Sequence, residues 1–308
     1  MVEKAIDIAD FFQITKEDLQ KKILTTISDE KIASLVENGN LIRPILTPLV
    51  FKTCTLGKEK QDLYQNTLEI ALSIELINSA SALNDDIIDK NKKITPIMNH
   101  KDTFDDSILL GHRILALGFN IVVNHGDEIA KLYLDAWDDI LTGGINETNQ
   151  IQKNIDITEN YNEIINMKTA SLFSLACKAG AIEAESSDEI QQVFSEYGRE
   201  IGLAYQLTGD LVNFIKRGLI DSMRFSIIYR MNTKSTTDPL KEKPLIKQLP
   251  KQKSKVKQIY LDEIKKHIKK AEEISKSKII PQSFYKKMLN MAPSFIINQV
   301  LSELEIIV

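Results

Sequence analysis

The sequence predicts an all-α protein, a single-domain helical bundle over residues 1–308 around a central apolar cavity, and three observations carry that expectation. Only 12 Gly and 8 Pro punctuate 308 residues, so long stretches run without a helix breaker. Hydrophobic residues make up 43% of the chain, enough for a sizeable core, and they recur at helical spacing. The third is the run Leu68, Ile70, Ala71, Leu72, Ile74, Leu76, Ile77, Ala80, Ala82 and Leu83, apolar around most of a helix circumference, which describes a helix in the middle of a bundle. No internal repeat or linker divides the chain.

Taken in order, the first helices are expected over Lys4 to Phe12, Lys16 to Ser28 and Lys31 to Glu37, with Asn38-Gly39-Asn40 as a stop signal. Pro44 fits the first turn of the next helix, where its missing N–H costs nothing, and it presents Arg43 at a helix N-terminus beside free amides. Arg43 reads either as an anion ligand or as an ordinary surface arginine. The buried helix ends in Asp85-Asp86-Ile87-Ile88-Asp89, and a short basic loop, Lys90 to Pro96, follows it. Helices are then expected from about Asp105 to Val123 and Glu128 to Leu141, the second closed by Gly143-Gly144. Its Asp138-Asp139 has no third acid at helical spacing.

Glu159 to Gly180 reads as another long helix, with Lys168-Thr169 set among Ile164, Ile165, Leu172, Phe173 and Ala176. A lysine in such a run either meets an anion or snorkels to the surface. From Glu189 to Ile215 the residues Gly202, Gln206, Asp210 and Asn213 form a polar stripe on a core helix, and such a stripe needs a partner. Lys234 to Lys255, rich in Lys, Pro and Thr, reads as a loop, and helices over about Val256 to Ser277 and Pro281 to Ile306 complete the chain. Lys265, Lys266, His267, Lys269 and Lys270 make a basic face, read as solvated or, as the minor alternative, as membrane-facing.

The acidic helix end carries the chemistry. Asp85 and Asp89 lie four residues apart, on one face of a helix, with Asp86 beside them. Two readings stand at this point, a solvated acidic face and a metal site. Oxygen-only ligands one turn apart suit Mg2+, which keeps most of its waters and takes a phosphate as its further partner. The second reading is therefore a diphosphate held by metal at the mouth of an apolar cavity. A formal net charge of −4 implies no nucleic-acid partner. Cys54 and Cys177 make neither a disulfide framework nor a zinc site. The N-terminal MVEKAIDIADFF has no continuous apolar stretch, so neither a signal peptide nor a membrane segment is expected, and a cytoplasmic location is.

The order of pieces is the most specific feature: GxxxRP from Gly39, ELIxxxSxxxDDxxD from Glu75, a basic pair, KTxxLF from Lys168 and GxxxQ from Gly202. From about Gly39 to Asn213 this resembles the trans-prenyltransferases, the polyprenyl diphosphate synthase family that includes geranylgeranyl diphosphate synthases. The resemblance implies Mg2+-dependent joining of isopentenyl diphosphate to an allylic diphosphate, with a product of geranylgeranyl length or longer. It implies Asp85, Asp86, Asp89 and Asp210 as metal ligands and Lys92 and Lys168 as ligands of the allylic diphosphate. Arg43, Lys93, Asn40 and Asn78 fall at the isopentenyl diphosphate positions. Lys168, Thr169 and Gln206 match the catalytic residues that grip the allylic group and shield its developing carbocation, and Ala80, Ser81 and Ile77 the positions that limit chain length. A homodimer, or a heteromer with an active synthase, is implied as well.

The departures from the family pattern are concentrated. Asn40 stands for an expected lysine, Asn78 for a histidine, Lys92 and Lys93 for two arginines, and His112 for an aspartate. The second acidic motif reads Gly209-Asp210-Leu211-Val212-Asn213, with Asp210 its one acid. These changes keep a second function open, a catalytically weak paralogue acting as a regulatory or structural subunit. A terpene cyclase would need an Asn/Asp, Ser/Thr, Glu triad after Gln206, which GDLVNFIKR does not supply. Asp85 and Asp210 are expected to face each other across the cavity.

Overall fold

The computed structural model describes residues 7–88, 104–153, 161–217 and 253–308, and every regular element among them is helical. The elements are α1 (Ile8–Thr26), α2 (Glu30–Glu37), α3 (Ile42–Cys54), α4 (Gln61–Ile88), α5 (Phe104–Val122), α6 (Asp127–Lys153) and α7 (Tyr161–Ile165). A π-helical turn, Asn166–Ala170, joins α7 to α8 (Ser171–Glu183), and α9 (Asp188–Arg217), α10 (Lys253–Ser275) and α11 (Phe284–Leu301) follow.

α4 runs through the middle, packed against α1, α3, α5 and α8. Of the apolar run that predicted this, Leu68 to Ala80 and Leu83 are buried, while Ala82 faces outward. Two expected boundaries change most, and the last helix, Phe284–Leu301, is shorter at both ends than expected. The first two helices are one, since Gln13-Ile14-Thr15 contains no breaker and Thr15 is buried; Asp7 caps it by accepting from the Asp10 N–H at 2.8 Å. α6 does not stop at Gly143-Gly144 but continues to Lys153. A Cβ on Gly143 would lie 2.9 Å from both Lys168 Cγ and Met167 Cβ, so this glycine lets α6 approach the π turn closely rather than ending a helix.

The basic face of α10 is paired with acids. Lys266 meets Glu263, Lys269 meets Glu273, and His267 and Lys270 both meet Glu200 of α9. That agrees with the solvated reading. The span Asp105–His125 is long and apolar enough to cross a membrane by length and composition, yet α5 packs along α4 and about a third of the span is buried.

α8 and α9 cross at very short range. A Cβ on Gly198 would fall 2.2 Å from the Phe173 carbonyl oxygen and 2.7 Å from its carbon, both backbone atoms that no rotamer change can move. Gly198→Ala is therefore expected to destabilise the chain by about 1–3 kcal/mol through overpacking. Denaturant titration would show this as a lowered midpoint at unchanged slope, and an unaltered midpoint would contradict the packing.

Candidate active site

The last turns of α4 open onto a cavity of about 450 Å³. Its mouth holds Ser81, Asn84 and Asp85, and Ile108 of α5 with Ile140 and Ile145 of α6 make its apolar wall. Ser81 of the chain-length positions lines this space; Ala80 and Ile77 are fully buried in α4. Lys168 reaches the same mouth from the π turn. Its ammonium donates to Asp85 Oδ1 at 3.0 Å and to Glu147 Oε2 of α6 at 2.7 Å. Burial favours the neutral amine, but the Asp85 and Glu147 carboxylates outweigh it and hold the Lys168 pKa above its ordinary value. The lysine found its anion rather than snorkelling away.

A polar chain continues inward. Thr169 Oγ1 donates to Gln206 Oε1 at 2.7 Å, and Gln206 Nε2 donates to Asp210 Oδ1 at 3.1 Å. Gln206 and Asp210 stand one turn apart on α9, so one amide bridges Thr169 and the acid. Asp85, Lys168, Thr169, Gln206 and Asp210, which the sequence singled out separately, thus form one connected cluster. Asn213, the last member of the expected stripe, is exposed.

A second cluster lies at the start of α3. The Arg43 guanidinium lies over both the Phe173 and Tyr205 rings, 5.0 and 5.1 Å from their centroids. Glu75 of α4 is buried beside it, with Oε1 accepting from Asn78 Nδ2 at 3.0 Å and Oε2 without a hydrogen-bond partner among the described residues. Burial raises the Glu75 carboxyl to about 7, against the pull of Arg43 and Asn78. Asn40 Nδ2 donates to the Tyr205 hydroxyl at 2.8 Å. The turn before α3 folds tightly over Glu75: Leu41 has a φ of 55°, and a Cβ on Gly39 would lie 2.6 Å from Glu75 Oε1. Arg43, Asn40 and Asn78 are therefore brought together, and Arg43 is not an ordinary surface arginine. Tyr205 and Gln206 are neighbours on α9, where the two clusters adjoin.

Asp86 lies in the last turn of α4, and Asp89, Lys92 and Lys93 lie outside the described residues. Among the described residues no three His, Cys, Asp or Glu converge on one point. The donors at the mouth are nonetheless of the kind a hard cation takes: Asp85 and Glu147 offer carboxylate oxygens on either side of one ammonium. Glu147, Glu75 and Tyr205 are site residues that the sequence reading did not assign. Ending the helix at Leu141 took Glu147 out of view, whereas Glu75 and Tyr205 lay inside motifs already quoted.

Solved structures share this architecture. A heptaprenyl diphosphate synthase from Staphylococcus aureus matches with a TM-score of 0.74 over 97% of this chain and 99% of that one, at 20% identity. A geranyltranstransferase from Methanosarcina mazei matches with a TM-score of 0.70 over 95% and 98%, at 22% identity. The fold is that of the all-α isoprenoid synthases. Residues 21–273 match the family model described as polyprenyl synthetase, and the chain belongs to that family. Among its relatives, a geranylfarnesyl diphosphate synthase of Methanosarcina mazei is 27% identical over 203 residues, 64% of this chain and 66% of the relative. A nonaprenyl diphosphate synthase of Mycobacterium tuberculosis is 27% identical over 189 residues, 61% of this chain and 55% of the relative. The chain thus spans between about half and two thirds of the length of these curated relatives.

Proposed function

We propose that the protein is an isoprenyl diphosphate synthase that condenses isopentenyl diphosphate with an allylic diphosphate and releases a product of geranylgeranyl length or longer. The observation that carries this reading is the partly buried Lys168 ammonium held between Asp85 and Glu147 at the mouth of an apolar cavity and continued through Thr169 to Gln206 and Asp210. Mg2+ held by Asp85, Asp86, Asp89 and Asp210 would supply Lewis-acid stabilisation of the departing diphosphate. Lys168 adds a fixed positive charge at that point, in a site already organised before the substrate arrives. The Thr169 hydroxyl oxygen and the Gln206 side-chain amide present dipoles beside the allylic group, and the apolar walls keep water from its cation. The π electrons of bound isopentenyl diphosphate form the new carbon–carbon bond as the allylic carbon–oxygen bond breaks. The leaving diphosphate then takes the final proton, so no histidine is required.

The exposed apolar side chains Leu109 of α5 and Leu134 of α6, which do not line the cavity, support a partner copy on this side. One observation favours the alternative of a subunit in a heteromeric synthase. Among the described residues Arg43 is the cation of the isopentenyl half-site, and the buried Glu75 carboxyl lies within its electrostatic range. Labelled isopentenyl diphosphate with geranyl or farnesyl diphosphate and Mg2+ tests both: the chain alone should give product. Product that forms only on mixing with an active synthase would favour the subunit reading, and no product in either case would reject the proposal. In the same assay Ser81→Phe, which fills the cavity just below Asp85, is expected to shorten the product by one or more prenyl units. An unchanged distribution would place the growing chain elsewhere.

A further inference from the structure

We infer that Tyr205 is a diphosphate-binding residue of the isopentenyl half-site, its phenol proton supplying to phosphate a hydrogen bond that Asn40 and Asn78 do not provide with charge. The inference rests on the function proposed above and goes beyond it, since no motif assigned this tyrosine a role.

The orientation of one amide decides the direction of the hydrogen bond. Asn40 Oδ1 faces the Ile42 N–H at 3.4 Å, so its Nδ2 is the atom turned to the tyrosine, and at 2.8 Å that nitrogen donates to the phenol oxygen. A phenol that accepts in this bond still has its own proton to give. Among the described residues no acceptor takes it. Asn40 therefore leaves Tyr205 as a donor held in place with its bond unmade.

The ring cannot easily turn away. It packs on Phe173 with centroids 5.2 Å apart, and the Arg43 guanidinium lies over it 5.1 Å from its centroid. An anion that pairs with Arg43 arrives next to the ring that carries the hydroxyl. Glu75 acts on the same cation: its carboxyl is buried within electrostatic range of Arg43, with Oε2 unpartnered among the described residues, so it offsets part of the guanidinium charge once ionised. A half-site with a partly offset cation gains from a neutral donor that costs little to desolvate. Tyr205 is partly exposed, as a ligand must be.

A merely structural tyrosine would hold Asn40 and the turn in place, and its loss would move stability and both substrates together. The test is Tyr205→Phe in the full chain, with steady-state kinetics for each substrate, calorimetric titration with isopentenyl diphosphate and a thermal melt. A hydrogen bond to a charged group is worth enough for the isopentenyl KM and Kd to rise about tenfold or more. The allylic KM should stay within about twofold. Adding Asn40→Lys to Tyr205→Phe places an ammonium at the neighbouring position, and isopentenyl binding should recover. If the parent chain binds isopentenyl diphosphate and Tyr205→Phe binds it equally well, or if both substrates weaken together, the inference is overturned while the proposed function stands. If the parent chain neither binds isopentenyl diphosphate nor forms product, both fall. Loss of binding in Tyr205→Phe supports the inference even in a chain whose turnover requires a partner.

Discussion

Lys168→Met is expected to lower kcat with isopentenyl and allylic diphosphates by about a hundredfold or more, the usual effect of removing one preorganised donor from a developing anion. The expectation follows from where the ammonium is held. Its side chain is 16% exposed and it is fixed by Asp85 and Glu147 at 3.0 and 2.7 Å, so in the proposed reaction it would meet the leaving diphosphate without reorganisation from solvent. Methionine keeps most of the stem volume and its packing near Gly143, which separates loss of charge from loss of shape. Lys168→Arg is expected to recover only part of the rate. A planar guanidinium does not occupy a point between two carboxylates as an ammonium does. Rapid-quench measurement of carbon–oxygen bond cleavage would check this, and a methionine variant within about threefold of the parent would remove Lys168 from the chemistry.

The residues that sequence reading brought together share a property: each is polar at a helical interval inside an apolar stretch. Lys168-Thr169 and the Gln206, Asp210 pair stood out because a buried polar group needs a partner, and the structure supplies those partners from one another. Glu147 did not stand out. A Gly-Gly pair signals both a helix end and a close approach, and only the position of Lys168 Cγ 2.9 Å from a Gly143 Cβ separates the two. That contact is tertiary, so no local pattern contains it. The same holds for Tyr205, whose hydroxyl meets an asparagine 165 residues earlier in the chain. The merged α1 has a different cause. The expected helices stopped at Phe12 and resumed at Lys16, although nothing in Gln13-Ile14-Thr15 breaks a helix and Thr15 packs inside, its hydroxyl no obstacle to the turn.

Glu75→Gln is expected to change the pH dependence of stability by an amount readable in simple denaturation experiments. Burial raises this carboxyl from an ordinary 4.5 to about 7, while Arg43 and the Asn78 amide pull it back. In the unfolded chain it loses its proton near 4.5, and in the folded chain only near 7. Between those values the folded state binds the extra proton, so the stability this group contributes is fully present below pH 4.5 and is lost as pH rises through about 7. The loss amounts to about 3 kcal/mol between pH 4 and 8, at 1.36 kcal/mol per pH unit of displacement. Glutamine does not titrate, and its amide oxygen can still accept from Asn78. The stability of Glu75→Gln minus that of the parent should therefore grow with pH across this window, whatever its value at the acidic end. Taking the difference cancels His125, Asp139 and Glu183, which burial also shifts. Urea titrations at pH 5, 6, 7 and 8 measure it directly, and a difference independent of pH would mean that Glu75 is already ionised at pH 5. A ligand effect of the same sign accompanies it. An ionised Glu75 offsets Arg43, so the isopentenyl KM of the parent should rise through pH 7 relative to that of Glu75→Gln, whose Arg43 charge stays unopposed at every pH.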